Sequence, residues 1–88
     1  IRKNIMQEII VKTDGITEKI NPSMVFHSRN PMTRRFCVNI YYTEKGIEKW
    51  IQLFCQDEYT EEPAKILSTD IREGNITDLT DYLAERRL

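Results

Sequence analysis

The sequence predicts an α+β fold: an antiparallel sheet of two hairpins, with an optional short strand between them, followed by two C-terminal helices packed on one face. Three observations lead to this prediction. Apolar and polar residues alternate in the first two-thirds of the chain, two glycine-containing turn sequences interrupt that alternation, and helical apolar spacing begins after position 60. Strands that precede helices along a chain favour an antiparallel sheet over β-α-β units.

The first hairpin is predicted from the Asp14-Gly15 pair, which lies between two runs rich in isoleucine. A type I′ turn needs positive φ at both central residues, and this dipeptide supplies it. The expected strands are Ile5–Thr13 and Ile16–Ile20, with Val11 opposite Glu18. The second run also has the composition of a helical turn, so its strand assignment has an alternative.

The stretch Asn21–Thr33 is the least regular part of the chain. Pro22 cannot donate to a sheet ladder, and a second Asn-Pro pair follows at Asn30. Between them, Ser23–Ser28 contains a short apolar run that predicts an edge strand. With Arg29, Arg34 and Arg35 nearby, we expect this stretch to form the most basic and most mobile surface of the protein.

The central hairpin is predicted over Arg35–Tyr42 and Ile47–Gln56, joined by a four-residue loop that ends at Gly46. Such a loop places Tyr42 opposite Ile47. This register separates an almost wholly apolar face from a mixed one, since side chains alternate with a period of two. The mixed face is expected to hold Arg35, Cys37, Asn39, Tyr41, Glu48, Trp50, Gln52 and Phe54.

The first helix is predicted to begin after Thr60, whose side chain can cap it, and to run to about Glu73. Gly74 is expected to end it. Its apolar stripe consists of Ala64, Leu67 and Ile71.

A second helix is predicted from Asn75 or Thr77 to the end of the chain. Its apolar stripe consists of Ile76, Leu79, Tyr82 and Leu83, and Arg86 and Arg87 lie in its last turn.

At 88 residues the chain is expected to form one small domain, residues 1–88. It begins with Ile1 rather than Met, which suggests a chain that was trimmed, or excised from a longer one. Residues 1–50 carry a net charge of +4 and residues 51–88 carry −5. This asymmetry argues against a general nucleic-acid binder, because such proteins usually show a basic excess. No apolar run is long enough for a transmembrane helix.

The two cysteines, Cys37 and Cys55, fit no zinc pattern. The predicted register places Cys37 opposite Gln52 and turns Cys55 to the other face, so we expect two thiols and a reducing compartment, cytoplasmic or nuclear. His27 has no nucleophile or carboxylate at a motif spacing. We therefore predict no catalytic residue, no metal site and no cofactor.

The candidate binding residues combine aromatic and basic side chains, as surfaces that stack single-stranded bases do. They are Arg34, Arg35, Tyr41, Lys49, Trp50 and Phe54. If the helices cover the mixed face, these aromatic residues belong to the core, and if nothing covers it they form a binding platform. We favour the first of these, since aromatic side chains mostly serve burial.

The function predicted from the sequence is a non-enzymatic protein-binding module, a small regulator or inhibitor or an interaction domain of a longer protein. Its partner is expected to be another protein, or its own copy paired through an edge strand as a homodimer. An acidic surface with Asp70, Glu73 and Asp81 is a second possible contact area. The alternative function is single-stranded nucleic-acid binding through the aromatic and basic face.

Overall fold

The computed structural model describes residues 8–83 of the chain. These residues form five strands and one α-helix, in the order β1 (Ile9–Thr13), β2 (Ile16–Ile20), β3 (Val25–Arg29), β4 (Phe36–Glu44), β5 (Ile47–Leu53) and α1 (Glu61–Arg72). Short 3-10 turns lie at Pro22–Met24 and Thr80–Tyr82. The predicted combination of antiparallel strands and helix is therefore present.

The strands form two sheets rather than the single sheet that the sequence predicted. β1 and β2 pair with each other, and β3, β4 and β5 form a separate antiparallel sheet with β4 in its centre. The short edge strand expected within Ser23–Ser28 is confirmed as β3. The 3-10 turn that begins at Pro22 separates it from β2, because proline cannot continue the ladder.

The first hairpin follows its prediction within the described residues. Val11 pairs with Glu18, and Asp14 and Gly15 both have positive φ, as a type I′ turn requires. Strand β1 begins at Ile9, and the earlier part of the predicted strand, residues 5–7, lies outside the described residues.

The central hairpin has a shorter turn than predicted. Glu44 pairs with Ile47 across Lys45 and Gly46, whose φ values of 53° and 79° are those of a type I′ turn. The predicted pairing of Tyr42 with Ile47 was wrong by two residues. An even shift leaves each side chain on its predicted face, because side chains alternate with a period of two.

Helix α1 confirms the first predicted helix. Thr60 is the N-cap residue, but its side chain makes no capping hydrogen bond. Gly74 follows the helix with φ +79°, and its N–H donates to Ile71 O at 3.1 Å. This left-handed residue ends the helix in the predicted way.

The second predicted helix was wrong over the described residues, because the segment 77–83 pairs its backbone with other elements. Its predicted last turn, with Arg86 and Arg87, lies outside the described residues. Lys12 N–H donates to Thr77 O at 2.7 Å, and Leu79 N–H donates to Lys12 O at 2.8 Å. Further along, Phe54 N–H donates to Tyr82 O at 2.8 Å. The segment thus joins β1 to the end of β5, and the apolar spacing that indicated a helix belongs to an irregular chain.

The core lies between α1, the β1–β2 hairpin and one face of the three-stranded sheet. Its buried members are Val11, Ile20, Val25, Val38, Ile40, Leu53, Ala64, Leu67, Ile71, Leu79 and Leu83. Helix α1 packs against β3 and β4 on this face. The opposite face of the sheet is not covered by α1, and we call it the open face.

Candidate interaction face

The open face carries a row of three exposed aromatic rings, one from each strand. Phe26 is 41% exposed, Tyr41 40% and Trp50 54%. The ring centroids of Phe26 and Tyr41 are 5.7 Å apart, and those of Tyr41 and Trp50 are 6.2 Å apart. The expectation that the helices cover this face was therefore wrong, since α1 packs on the other side of the sheet. We call these three residues the aromatic row.

The rings of the aromatic row stack against each other. Their planes are inclined by 21° between Phe26 and Tyr41 and by 13° between Tyr41 and Trp50. Tyr41 is central because β4 lies between β3 and β5, so both of its ring faces meet a neighbouring ring. The ring faces that point outwards are those at the two ends of the row, on Phe26 and Trp50.

A polar cluster lies beside the aromatic row and holds Trp50 in place. The indole N–H of Trp50 donates to Asn39 Oδ1 at 3.2 Å, and Asn39 Nδ2 donates to Ser28 Oγ at 2.7 Å. Gln52 Nε2 donates to Cys37 Sγ at 3.4 Å. Because Asn39 and Cys37 are buried, these contacts satisfy polar groups that water does not reach.

Two of the predicted binding residues, Arg35 and Phe54, contact each other and not the aromatic row. The guanidinium carbon of Arg35 is 4.3 Å from the centroid of the Phe54 ring, and Arg35 Nε forms an ion pair with Glu58. Phe54 is buried. This part of the predicted surface is thus a packed corner in which the arginine charge is already paired.

The other two predicted basic residues lie elsewhere. Lys49 belongs to the opposite face of β5, where its Nζ is 2.8 Å from Glu44 Oε1. That hydrogen bond lowers the pKa of Glu44 and raises the pKa of Lys49. Arg34 is exposed in the loop between β3 and β4, with φ +65°. The structure therefore brings Tyr41 and Trp50 together and separates them from Lys49.

The open face is not basic. Alternation and pairing place nine strand residues on it: Phe26, Ser28, Cys37, Asn39, Tyr41, Thr43, Glu48, Trp50 and Gln52. Glu48 is the one charged residue among them, and within residues 8–83 it forms no ion pair. A surface pocket of about 360 Å³ beside Tyr41 is lined by Glu8 and Glu48 together with Lys19. The charge of this surface is therefore mixed to acidic.

Sequence reasoning did not include Phe26 or Glu48 among the candidate binding residues. Phe26 lies in a strand that the sequence marked only as an option, so its place in the row depended on the pairing of β3 with β4. The signal available in the sequence was the spacing of Phe26 and Ser28, since residues two apart lie on the same face of a strand. Glu48 was predicted on the correct face, but only aromatic and basic residues were selected as candidate binding residues.

Cys37 and Cys55 form no disulfide with each other. In the pairing that the structure shows, Cys37 lies opposite Ser28, and Gln52 lies opposite Asn39, so the expected pair of Cys37 with Gln52 was wrong. His27 Nε2 is 3.0 Å from Glu61 Oε2, at the start of α1. No group of three or more His, Cys, Asp or Glu side chains that could hold a metal ion occurs in the described part of the chain.

No helix among the described residues is long and apolar enough to cross a membrane. In the comparisons with known proteins, no family model, curated protein or solved structure showed significant similarity to this chain.

Proposed function

We propose that the chain is a non-enzymatic protein-binding module that uses the open face, with the aromatic row at its centre. Its role would be that of a small regulator or inhibitor, or of an interaction domain in a longer protein. The observation that carries the proposal is the exposure of Phe26, Tyr41 and Trp50 side by side on three strands. Aromatic residues that are clustered and exposed are enriched at protein interfaces, where they supply most of the binding energy.

The charge and ring geometry favour a protein partner over single-stranded nucleic acid. Phosphate binding needs cations near the stacking rings, but the strand residues of the open face include none, and Arg35 is paired with Glu58. Bases also need exposed ring faces to stack on, and the row leaves these only at its two ends, on Phe26 and Trp50, because Tyr41 is stacked between them. The thiols of Cys37 and Cys55 favour a reducing compartment for this function, cytoplasmic or nuclear.

The proposal is tested by capture from an extract of the source cells. Three baits are compared: the wild type, the double variant Tyr41→Ala with Trp50→Ala, and Ile66→Ala. Ile66 lies on α1 and is 51% exposed, so it controls for the loss of an exposed apolar side chain elsewhere. We expect at least one protein to bind wild type and Ile66→Ala alike, and to fall about tenfold or more with the double variant.

A parallel titration with a mixed-sequence single-stranded oligonucleotide decides the alternative. We expect no change in Trp50 emission at low salt. Equal capture by all three baits would contradict the protein-binding proposal. Oligonucleotide binding that requires Trp50 and weakens steeply with salt would instead move the function to nucleic acid.

A further inference from the structure

We propose that the partner of the open face is an extended basic peptide with the pattern Arg-x-Arg, added as a strand to the outer edge of β5. This inference rests on the proposed function and deepens it by stating the chemistry of the partner. Four features of β5 support it: its position at the sheet edge, the direction of its backbone groups, the outer face of Trp50, and the charge of Glu48.

The backbone of β5 presents hydrogen-bonding groups to the outside. Phe54 N–H points away from β4, because it donates to Tyr82 O at 2.8 Å. Backbone groups of alternate residues point to the same side of a strand, so those of Glu48 and Trp50 point outwards as well. The two-residue turn agrees with this direction. Its closing pair, Glu44 and Ile47, is hydrogen-bonded across the hairpin, so the backbone groups of Ile47 point towards β4 and those of Glu48 point outwards.

The middle of this edge has no strand beside it within residues 8–83. Leu83 forms a bridge with Leu53 and so occupies the edge at the end of β5. Among the described residues, the stretch from Ile47 to Ile51 pairs with β4 alone. Helix α1 packs on β3 and β4 and does not obstruct an added strand at β5. An exposed edge of this kind is a template for strand addition.

The side chains of the edge specify what the added strand carries. A residue opposite Trp50 meets the outer face of the indole, whose inner face is stacked on Tyr41. Indole is the best cation–π partner among the aromatic side chains, and arginine is the cation most often found over it. The peptide residue two positions away lies opposite Glu48, which is exposed on the same face. A basic side chain at this peptide position pairs with the Glu48 carboxylate.

The residue between the two arginines points to the other face of the sheet, beside Lys49. A basic residue there would meet an ammonium whose carboxylate partner, Glu44, is already bound at 2.8 Å, so it would gain no ion pair of its own. The pattern is therefore basic, non-basic, basic. It reads the same in both directions, so a parallel and an antiparallel strand both present an arginine to Trp50 and a cation to Glu48.

The test uses capped peptides of equal length and NMR titration of the full chain. The first peptide has Arg-Thr-Arg at its centre, the second has the same composition with adjacent arginines, and the third has Glu-Thr-Glu. We expect only the first to shift the amide signals of Glu48 and Trp50 and the indole signal of Trp50. Equal binding of the peptide with adjacent arginines would overturn the inference, because binding would then not require two arginines on the same side of an added strand.

Matched variants locate the contact. We expect Trp50→Ala to weaken binding of the Arg-Thr-Arg peptide about tenfold, and Glu48→Gln about threefold. Lys49→Gln, on the same strand but the opposite face, should leave the affinity within about twofold. Binding that is indifferent to Trp50 would overturn the inference, as would equal shifts caused by spermidine, which is a soluble cation without a backbone.

A charge exchange gives the strand direction. For Glu48→Arg we expect one of the two peptides Arg-Thr-Glu and Glu-Thr-Arg to bind about as well as Arg-Thr-Arg binds the wild type. The peptide that is rescued places its glutamate opposite position 48. Failure of both peptides with this variant would overturn the proposed pairing.

The outcome also separates this inference from the proposed function. If no peptide binds but capture from the extract still depends on Tyr41 and Trp50, the peptide inference fails and protein binding stands. If capture is also independent of these two residues, both proposals fail.

Discussion

Asn39 is the residue that connects the buried and exposed parts of the open face. It is buried, and its side chain accepts from the Trp50 indole and donates to Ser28. A buried amide is favourable only when its hydrogen bonds are made. The buried Asn39 amide is therefore stabilised by its hydrogen bonds with Trp50 and Ser28. Asn39 in turn fixes the orientation of the Trp50 indole.

We predict that Asn39→Ala lowers the free energy of unfolding by about 1–2 kcal/mol, because it leaves the partners of the amide unpaired. It should also make Trp50 more accessible to a soluble quencher, since the indole loses its fixed acceptor. Urea denaturation and fluorescence quenching measure the two effects. The control is Thr43→Ala, an exposed position on the same face of β4, expected within about 0.5 kcal/mol of wild type. If Asn39→Ala also stays within about 0.5 kcal/mol of wild type, the prediction is contradicted.

At the scale of elements, the sequence predicted those whose ends carry local signals. Asp14-Gly15 and Gly46 fixed the places of two turns, and Gly74 the end of the helix. The central turn was predicted as four residues and has two, because Lys45 adopts a left-handed conformation that residue preferences do not favour.

The segment after Gly74 shows why the second helix was predicted wrongly. The predicted cap was Asn75 or Thr77, with Asp78 in the first turn, but Asn, Asp and Thr side chains bond to nearby backbone groups in turns as well as at helix starts. Here Asp78 Oδ1 accepts from Thr80 N at 3.1 Å and from Thr80 Oγ1 at 2.7 Å. The pairing of this segment with Lys12 and Phe54, distant in sequence, decided the outcome.

The same contact predicts a pH effect. The hydrogen bonds from Thr80 lower the pKa of Asp78 in the folded protein. The stabilisation that this provides is present above the ordinary aspartate pKa of about 3.9, and it is lost as the pH falls through the lowered folded value. We expect the unfolding free energy of the wild type to fall more steeply than that of Asp78→Asn between about pH 5 and pH 2.5.

Denaturant unfolding at a series of pH values measures this difference. Asp81→Asn removes one exposed carboxylate from the same segment and serves as the control. Identical acid slopes for the wild type and Asp78→Asn would show that the contact with Thr80 does not stabilise the folded state.

For the whole molecule, the sequence separated the two faces of the central hairpin but did not decide which of them the helix covers. Both faces carry large apolar residues, such as Ile51 on one and Trp50 on the other. Strand β3 shows which face the helix covers. Val25 is buried against α1, whereas the next residue, Phe26, belongs to the aromatic row. The helix and the row therefore lie on opposite sides of the sheet. Both predicted helices were expected on one face of the sheet, and the single helix that forms covers the face that holds Val25 rather than the face that holds Trp50.

The two sheets behave as one unit only if the core between them is shared, and Leu79 tests this. Its side chain is fully buried, and its segment joins β1 to the end of β5. We predict that Leu79→Ala lowers the free energy of unfolding by about 2–5 kcal/mol, because it removes buried methyl groups and leaves a cavity. Urea denaturation followed by Trp50 fluorescence measures this on the three-stranded sheet, far from the substituted residue in sequence.

Ile10→Ala, at an exposed position of β1, is the control and should stay within about 0.5 kcal/mol. If Leu79→Ala leaves the Trp50 transition unchanged while the signals of β1 are lost at lower urea, the two sheets unfold separately. A common shift of both signals means that the open face depends on the whole core. In that case a peptide bound at β5 should stabilise the β1–β2 hairpin as well, because ligand binding to the folded state stabilises the entire cooperative unit.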